Sequence, residues 1–446
     1  MDRAIAGMRG TGTFTPNERP TNFREKIFRE YPDGPAPLMM ILGMLKSEST
    51  DDTKYNCFEQ TIPDQVHLIA STADGPVGGA DDVTIVLDTS PGAPYNDYTN
   101  PAKFFKKGHI IQVSNSGLPL NAGTGEVMYV AASDAVDTLT VVRDVGSSAD
   151  YGGDDALAAD LSGGGAEITI IGSAHEEGAD YPDAIHFSPH EKWNYIETFR
   201  TSLSLTDDAA QTYYRTGNIN ENAKFDCAMQ HSMEQEKAFM WGRRERIDQL
   251  VGYSGDGQPM RTTGGIKFWI DEEAPGNYLD GTTLTDSGIL TRDEFLAFLE
   301  PIYTVPGGSQ NKIAFCGSTF LGVMTKYAEE LGQIFLEPKE KTYGLQIRTL
   351  VHAWGELKLV NHQLFSEHPS WRGAAMIVDT RNIMYRYLKG RDTRFLRERQ
   401  GNGEDKVVHE FMTKAGLELM HSRTHGYITG ITGFKKAPGE WIDVTP

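Results

Sequence analysis

The segment NENAKFDCAMQHSMEQEKAFMWGRRERIDQLVG, residues 220–252, has no proline or glycine between Asn220 and Met240. Phe225, Met229, Met233, Met240, Ile247 and Val251 recur at intervals of four and seven, one stripe at 3.6 residues per turn. The pattern predicts a single long helix, stopped by Gly252 and Gly255 and reaching roughly 45 Å. Glu236 and Arg243 fall on the apolar stripe itself, two turns apart, and predict polar contacts within the subunit or across a subunit boundary. The chain then returns through GQPMRTTGGIKFWI, residues 257–270. Nothing in this stretch carries a catalytic pattern; it reads as a beam.

Working outward, 446 residues allow two or three domains, and 39% hydrophobic content with 10% aromatics fits a folded chain. The 47 glycines point to many turns and a large β component. No apolar run reaches membrane-spanning length, and no secretory signal is visible at the N-terminus. Cys57, Cys227 and Cys316 are odd in number and far apart, the usage of a reducing compartment without a disulfide framework. A net charge of −20 argues against general nucleic-acid binding across the surface. The charge is also segregated. No lysine or arginine lies between Lys54 and Lys103, or between Arg143 and Lys192, whereas IMYRYLKGRDTRFLRER carries Arg386, Lys389, Arg391, Arg394, Arg397 and Arg399 against Asp392 and Glu398. Two solvated faces are the bland reading; complementary surfaces between copies are the sharper one.

In chain order, residues 1 to about 22 read as an irregular arm and NFREKIFREY as a short amphipathic helix. LMMILGMLK resumes as an apolar helix, better placed in the core than on a neighbour. TKYNCFEQTIP and QVHLIAS lean towards strand. Between residues 74 and 180, VTIVL, HIIQV, EVMYV, TLTVV and EITII are separated by glycine-rich loops and predict a small inserted barrel or sandwich. Beyond the beam, TRDEFLAFLEPIY and TFLGVMTKYAEELG read as helices. KIAFCG, YGLQIRTLVHAWGELKLVNHQLF, AAMIVDT, NIMYRYLKG and the closing HEFMTKAGLELMHSRTHGYITGITGF read as strands.

Chemistry is sparse. Gly252-Tyr253-Ser254-Gly255-Asp256 fails the serine-hydrolase elbow at its last position and follows a helix. No phosphate-cradling loop or dinucleotide fingerprint is present. Cys227 with His231, and His421 with His425, have an i, i+4 spacing, but a closed zinc site wants about four donors. Asp154, Asp155 and Asp160 could hold calcium, although a solvated acidic loop is the better reading. The expectation is no catalytic residue, no cofactor and no metal.

Taken together, KWNYIETFRTSLSLTDDA, WGRRERID, GQPMRTTGGIKFWI, YGLQIRTLVHAWGELKLVNHQLF, AAMIVDTRNIMYRYLKGRDT and GLELMHSRTHGYITGI resemble the tailed-phage major capsid (major head) proteins, whose fold is the Hong Kong phage type. The similarity runs from about Asn22 to Phe434 except across the β insertion. It departs at Glu197, where an amide is common, and at Cys57-Phe58-Glu59, where a tryptophan beside the acid is expected. The resemblance implies an α+β fold with an N-terminal arm (1–50) and an extended β loop (51–205) carrying an inserted small all-β domain (about 74–180). It further implies a peripheral domain with its spine helix (206–304), an axial domain (305–380) and return strands of the peripheral domain (381–446). It implies a structural, non-enzymatic protein that self-assembles in the host bacterial cytoplasm into an icosahedral head enclosing double-stranded DNA. The partners implied are hexamers and pentamers of itself, with scaffold, portal and decoration proteins and packaged DNA on the inner face, and no membrane. The subunit-interface candidates are Glu236, Met240, Arg243, Arg386, Arg391, Arg394, Arg397 and Arg399. The alternatives are an encapsulin-like bacterial shell protein, or a β-rich carbohydrate-binding or hydrolytic protein using the 74–180 module.

Overall fold

The structure, a computed structural model, describes residues 36–60, 66–70, 82–89, 100–115, 126–142, 166–178, 184, 189–214, 217–248, 258–330, 341–342, 345–437 and 440–443. NFREKIFREY, Val251, the Gly252–Asp256 segment and the acidic loop of Asp154, Asp155 and Asp160 lie outside the described residues. Chain contacts separate two compact units, Cys57–Lys192 and the remainder.

In chain order, α1 (Pro37–Leu42) and β1 (Ser47–Thr50) open the larger unit, and β2 (Lys54–Glu59) leads out of it. The smaller unit carries β3 (Val66–Leu68), β4 (Asp82–Val86), β5 (His109–Asn115), β6 (Glu126–Ser133), β7 (Thr138–Val142) and β8 (Ala166–Ser173), and β9 (His190–Tyr195) leads back. Then come β10 (Glu197–Thr206), the short α2 (Asp207–Gln211) and the long α3 (Ile219–Trp241). β11 (Glu245–Ile247), β12 (Met260–Thr262), α4 (Ile266–Glu273), β13 (Tyr278–Asp280), β14 (Ile289–Thr291) and α5 (Arg292–Thr304) follow. Next are β15 (Asn311–Cys316), α6 (Ser318–Glu330), β16 (Lys341–Thr342), β17 (Leu345–His352), β18 (Gly355–Asn361) and α7 (Gln363–Glu367). The chain closes with β19 (Ala375–Val378), β20 (Ile383–Leu388), β21 (Arg394–Leu396), β22 (Lys406–Leu419), β23 (Gly426–Thr429), β24 (Gly433–Ala437) and β25 (Glu440–Asp443).

In the smaller unit, the five β-branched runs become β4 to β8 and, with β3, form one antiparallel sheet in the order β3-β8-β5-β6-β7-β4. Its alternating inward residues, among them Ile85, Ile111, Met128, Val130, Val141 and Ile168, make a core of their own.

Two sheets organise the larger unit. The seven-stranded sheet runs β13-β23-β19-β15-β18-β17-β16, with β17 and β18 joined across Ala353-Trp354. Helices α5 and α6 cover it through Phe295, Phe298, Leu299, Phe320, Val323 and Met324. A reciprocal cap fixes the start of α5: Glu294 donates its backbone N–H to the Thr291 hydroxyl, and its carboxylate accepts the Thr291 N–H. Beneath this sheet Lys312 and Asp379 form a fully buried ion pair at 3.1 Å, completed by the Thr424 carbonyl and the Ser309 N–H.

The second sheet, β1-β20-β22-β10 with β21 also on β22, carries α3 on one face. Here the structure corrects the sequence reading. The helix stops at Trp241, at a length of roughly 35 Å. Ile247 leaves it for the β11–β12 hairpin. The cause is a backbone crossing: Gly265 donates its N–H to the Gly242 carbonyl at 2.8 Å. A Cβ on Gly242 would lie 2.4 Å from the Ala238 oxygen and 2.6 Å from the Thr263 oxygen. The buried stripe is also rotated and largely polar, namely Cys227, His231, Gln235, Glu236, Phe239 and Met240, while Phe225 is exposed. The sheet demands this, because β10 and β22 present hydroxyls to the helix. His231 bridges Thr201 (2.9 Å, Nδ1) and Thr413 (2.8 Å, Nε2). Gln235 donates to Thr413, and Thr201 donates to Glu234. Buried polar groups on one surface require partners on the other.

Leu38, Ile41 and Leu42 of α1 enter the same core as Phe239 and Met240, so this apolar helix is core. Glu236 holds it there. Its two oxygens accept the N–H groups of Leu38 and Met39, both at 2.7 Å, and Oε1 also takes Nε2 of His362 at 2.8 Å. All of Glu236 and His362 is buried.

Two outcomes are expected. Glu236→Ala strands three donors, two of them fully buried, and should cost about 3–5 kcal/mol in chemical denaturation. Glu234→Ala, which loses contacts to Thr201 and Gln230, should cost about 1 kcal/mol. Burial lowers the pKa of His231 below 6.5, with Glu234 opposing. The unfolded chain therefore binds this proton more readily, and the stabilisation is full above pH 6.5 and lost as pH falls through the folded-state value. Thermal midpoints should drop on acidification below 6.5, with a shallower slope in His231→Gln.

Candidate assembly surface

The face of the α3 sheet turned away from the helix is set by strand alternation. On β10, Phe199, Thr201 and Leu203 are buried towards α3, so Thr198, Arg200, Ser202 and Ser204 point the other way and are exposed. Register places Arg200 beside Met412 and Ser202 beside Glu410, and places Arg394 and Leu396 of β21 against the same two residues of β22. Further along, Glu48 of β1 lies beside Arg386 of β20.

Arginines dominate this face. Arg200, with a side chain 61% exposed, donates from Nε and Nη2 to the nearly buried Glu410 carboxylate, and Arg399 approaches the same carboxylate at 4.0 Å. The Arg200 hydrogen bond, with the charges of Arg200 and Arg399, holds the Glu410 pKa below the usual carboxylate range against the opposing effect of burial. Arg386 is enclosed between Glu48, at 2.7 Å, and Glu418. Lys389 and Arg391 are exposed after β20, and Arg394, Arg397 and Arg399 are exposed around β21. On the opposite side of β21, facing α3, Lys224 lies 4.3 Å from the Phe395 ring centre and Arg397 5.9 Å. Of the two acids in the run, Asp392 is engaged by the Tyr385 hydroxyl and the Thr393 N–H.

The candidate residues therefore separate into four groups. Arg391, Arg394, Arg397 and Arg399 are all solvent-exposed around β21, Arg394 on the face away from α3 and Arg397 beside Phe395, whose partner Phe411 meets His231 of α3. Arg386 is tied inside the subunit by two carboxylates. Glu236 and Met240, which the sequence reading offered for a subunit boundary, are fully buried in the subunit's own core. Arg243 is exposed past the end of α3, off the helical stripe on which the sequence reading placed it. Cys227 and His231 are occupied by Thr201 and Thr413, and His425 accepts the Asp379 N–H. Among the described residues no group of three or more His, Cys, Asp or Glu could hold a metal ion, and no helix is long and apolar enough to cross a membrane.

Sequence reasoning missed Arg200 and its carboxylate Glu410; the strand period of TFRTSLSL was the available signal for the outward arginine. It also missed what the quoted motifs do. Asn194 donates to the carbonyls of Gly264 and Leu417 and accepts the Gly264 N–H. Arg244 lies 3.9 Å over the Trp193 ring while its Nη1 donates to the Trp193 carbonyl. Glu197 accepts the Thr263 N–H, and burial pushes its pKa up. These contacts pin the strand before β10 to the return loop after α3.

A model of the SU10 major capsid protein family matches residues 9–432. The major capsid protein of Pseudomonas phage PaMx41 is 26% identical over 436 residues, covering 93% of each chain. Among solved structures, Microbacterium phage Oxtober96 is similar with a TM-score of 0.38 and 10% identity over 92% of this chain and 95% of that one. The holo-SrpI encapsulin complex of Synechococcus elongatus PCC 7942 is similar with a TM-score of 0.36 and 10% identity over 59% of this chain and 81% of that one. The chain belongs to the SU10 major capsid protein family, and it is a tailed-phage major capsid protein with the α+β capsid fold expected from its sequence.

Proposed function

We propose that copies of this chain assemble, as hexamers and pentamers in the host bacterial cytoplasm, into an icosahedral head that encloses double-stranded DNA. The family match over residues 9–432 carries this reading. Within it the protein has no catalytic role, and scaffold, portal and decoration proteins are the further partners. α3 serves as the spine of a peripheral domain at residues 206–304 and 381–446, with residues 305–380 as the axial domain. Residues 1–50 form the arm and residues 51–205 the extended β loop, in which the insertion at about 74–180 is an outward-facing module.

The solvent-facing arginines are best read as a contact for a neighbouring copy. A chain of net charge −20 that concentrates cations around β21 offers every copy an acidic complement, notably residues 55–102 and 144–191. Exposed pairs contribute about 0.2–1 kcal/mol each and weaken with salt.

Changing Arg391, Arg394 and Arg397 together to Gln should therefore raise the protein concentration needed for empty-shell assembly by about tenfold, and high salt should mimic the change in wild type. Light scattering and negative-stain microscopy read both effects. Normal empty shells at all salt concentrations, with less packaged DNA, would assign the surface to DNA instead. Replacing residues 75–178 with a short Gly/Ser linker should leave assembly intact and give a smoother particle in the same images; aggregation would show that the insertion belongs to the shell floor.

A further inference from the structure

β10 is an edge strand of the α3 sheet. Its pairing with β22 runs without a register shift from Glu197↔Ala415 to Thr206↔Lys406. The sequence ETFRTSLSLT has no proline or glycine. In an antiparallel ladder about half of such a strand's main-chain groups point away from the partner. Among the described residues, the hydrogen bonds to β10 from beyond β22 all involve side chains: the Thr263 N–H to the Glu197 carboxylate, the Cys227 thiol to the Thr201 carbonyl, His231 and Glu234 with the Thr201 hydroxyl, and the Ala209 N–H to the Thr206 hydroxyl.

Soluble proteins blunt long edges with bulges, prolines, inward charges or covering elements, because a flat edge templates a further strand. The same sheet ends elsewhere in short strands, four residues in β1 and three in β21. β10 has ten residues and no bulge.

We infer that the β10 edge is an interface, and that its occupant is β10 of a second copy, related by a twofold axis through Thr201. This rests on the reading that copies of the chain assemble. Antiparallel self-pairing centred on Thr201 puts Thr198 opposite Ser204 and Arg200 opposite Ser202 on the solvent face. On the helix face it puts Phe199 opposite Leu203. Directly opposed residues then never carry like charge, hydroxyls meet hydroxyls, and the buried apolar row of one core continues into the next. The contact is isologous, with each residue meeting its counterpart's partner. Charge agrees with this occupant: Arg200 is already held by Glu410 of its own chain, so the edge needs no acidic guest.

Hydrogen exchange on free subunits and on particles tests the edge. The amides of residues 198–206 should include a fast-exchanging set in free protein that slows at least about tenfold in the particle. Thr198→Cys/Ser204→Cys, two exposed positions, tests the occupant; in a Cys57→Ser background it should give a covalent dimer on oxidation of particles, and Thr198→Cys alone should not. Unchanged exchange in well-formed particles overturns the inference while leaving the capsid reading intact. Slowed exchange without the cross-link assigns the edge to another segment and overturns the twofold pairing. Wild-type protein that forms no particle under any condition removes the capsid reading and the inference together.

Discussion

One buried carboxylate sets the arrangement of the larger unit. Glu236 spends both oxygens on donors from two distant parts of the chain, the first turn of α1 and the imidazole after β18. A carboxylate taken out of water is tolerable only when its lone pairs are used. These donors therefore must converge on α3, and with them come Leu38 and Leu42 on one side and Phe365 on the other. α1 has six residues, too few to be stable as an isolated helix, so its structure is a consequence of that docking.

The remaining contacts of α3 follow the same logic at lower stakes. His231 and Gln235 meet the hydroxyls of Thr201 and Thr413, giving a helix–sheet seam specified by hydrogen bonds as well as by packing. If Thr201 donates to Glu234, it accepts from Nδ1 of His231, and Nε2 then accepts from Thr413. The neutral imidazole that burial favours suits this chain of donors. An apolar seam tolerates sliding; a hydroxyl–imidazole seam has one register. A subunit that must present its outer sheet face reproducibly to neighbours benefits from that constraint.

With one face of the sheet occupied by α3, the other is left to water and neighbours. The arginines along β20 and β21 are of two kinds. Arg386, between Glu48 and Glu418, fastens β1 to β20 and β22 and has little left to offer a partner. Arg391, Arg394, Arg397 and Arg399 retain exposed guanidinium groups, and they carry the proposed contact. Charge counting alone treats all five alike.

Much of this was readable from residue order. The short β-branched runs between glycine-rich loops became β4 to β8, because alternation and turn chemistry are local properties. TRDEFLAFLEPIY became a helix with its capping acid at the third position for the same reason. The segment KWNYIETFRTSLSL and the segments around it were enough to point to the capsid family. The sequence could not determine where the long helix ended or which of its faces was buried. Its termination depends on the Gly242–Gly265 crossing, and its buried face on hydroxyls from strands about 30 and 180 residues away. Nor could it tell that Glu236 faces inward to α1 and His362, or that Arg386 is already paired. Periodicity reports which residues share a side of an element; only the partners packed against that side decide whether a charge on it is buried, satisfied or free.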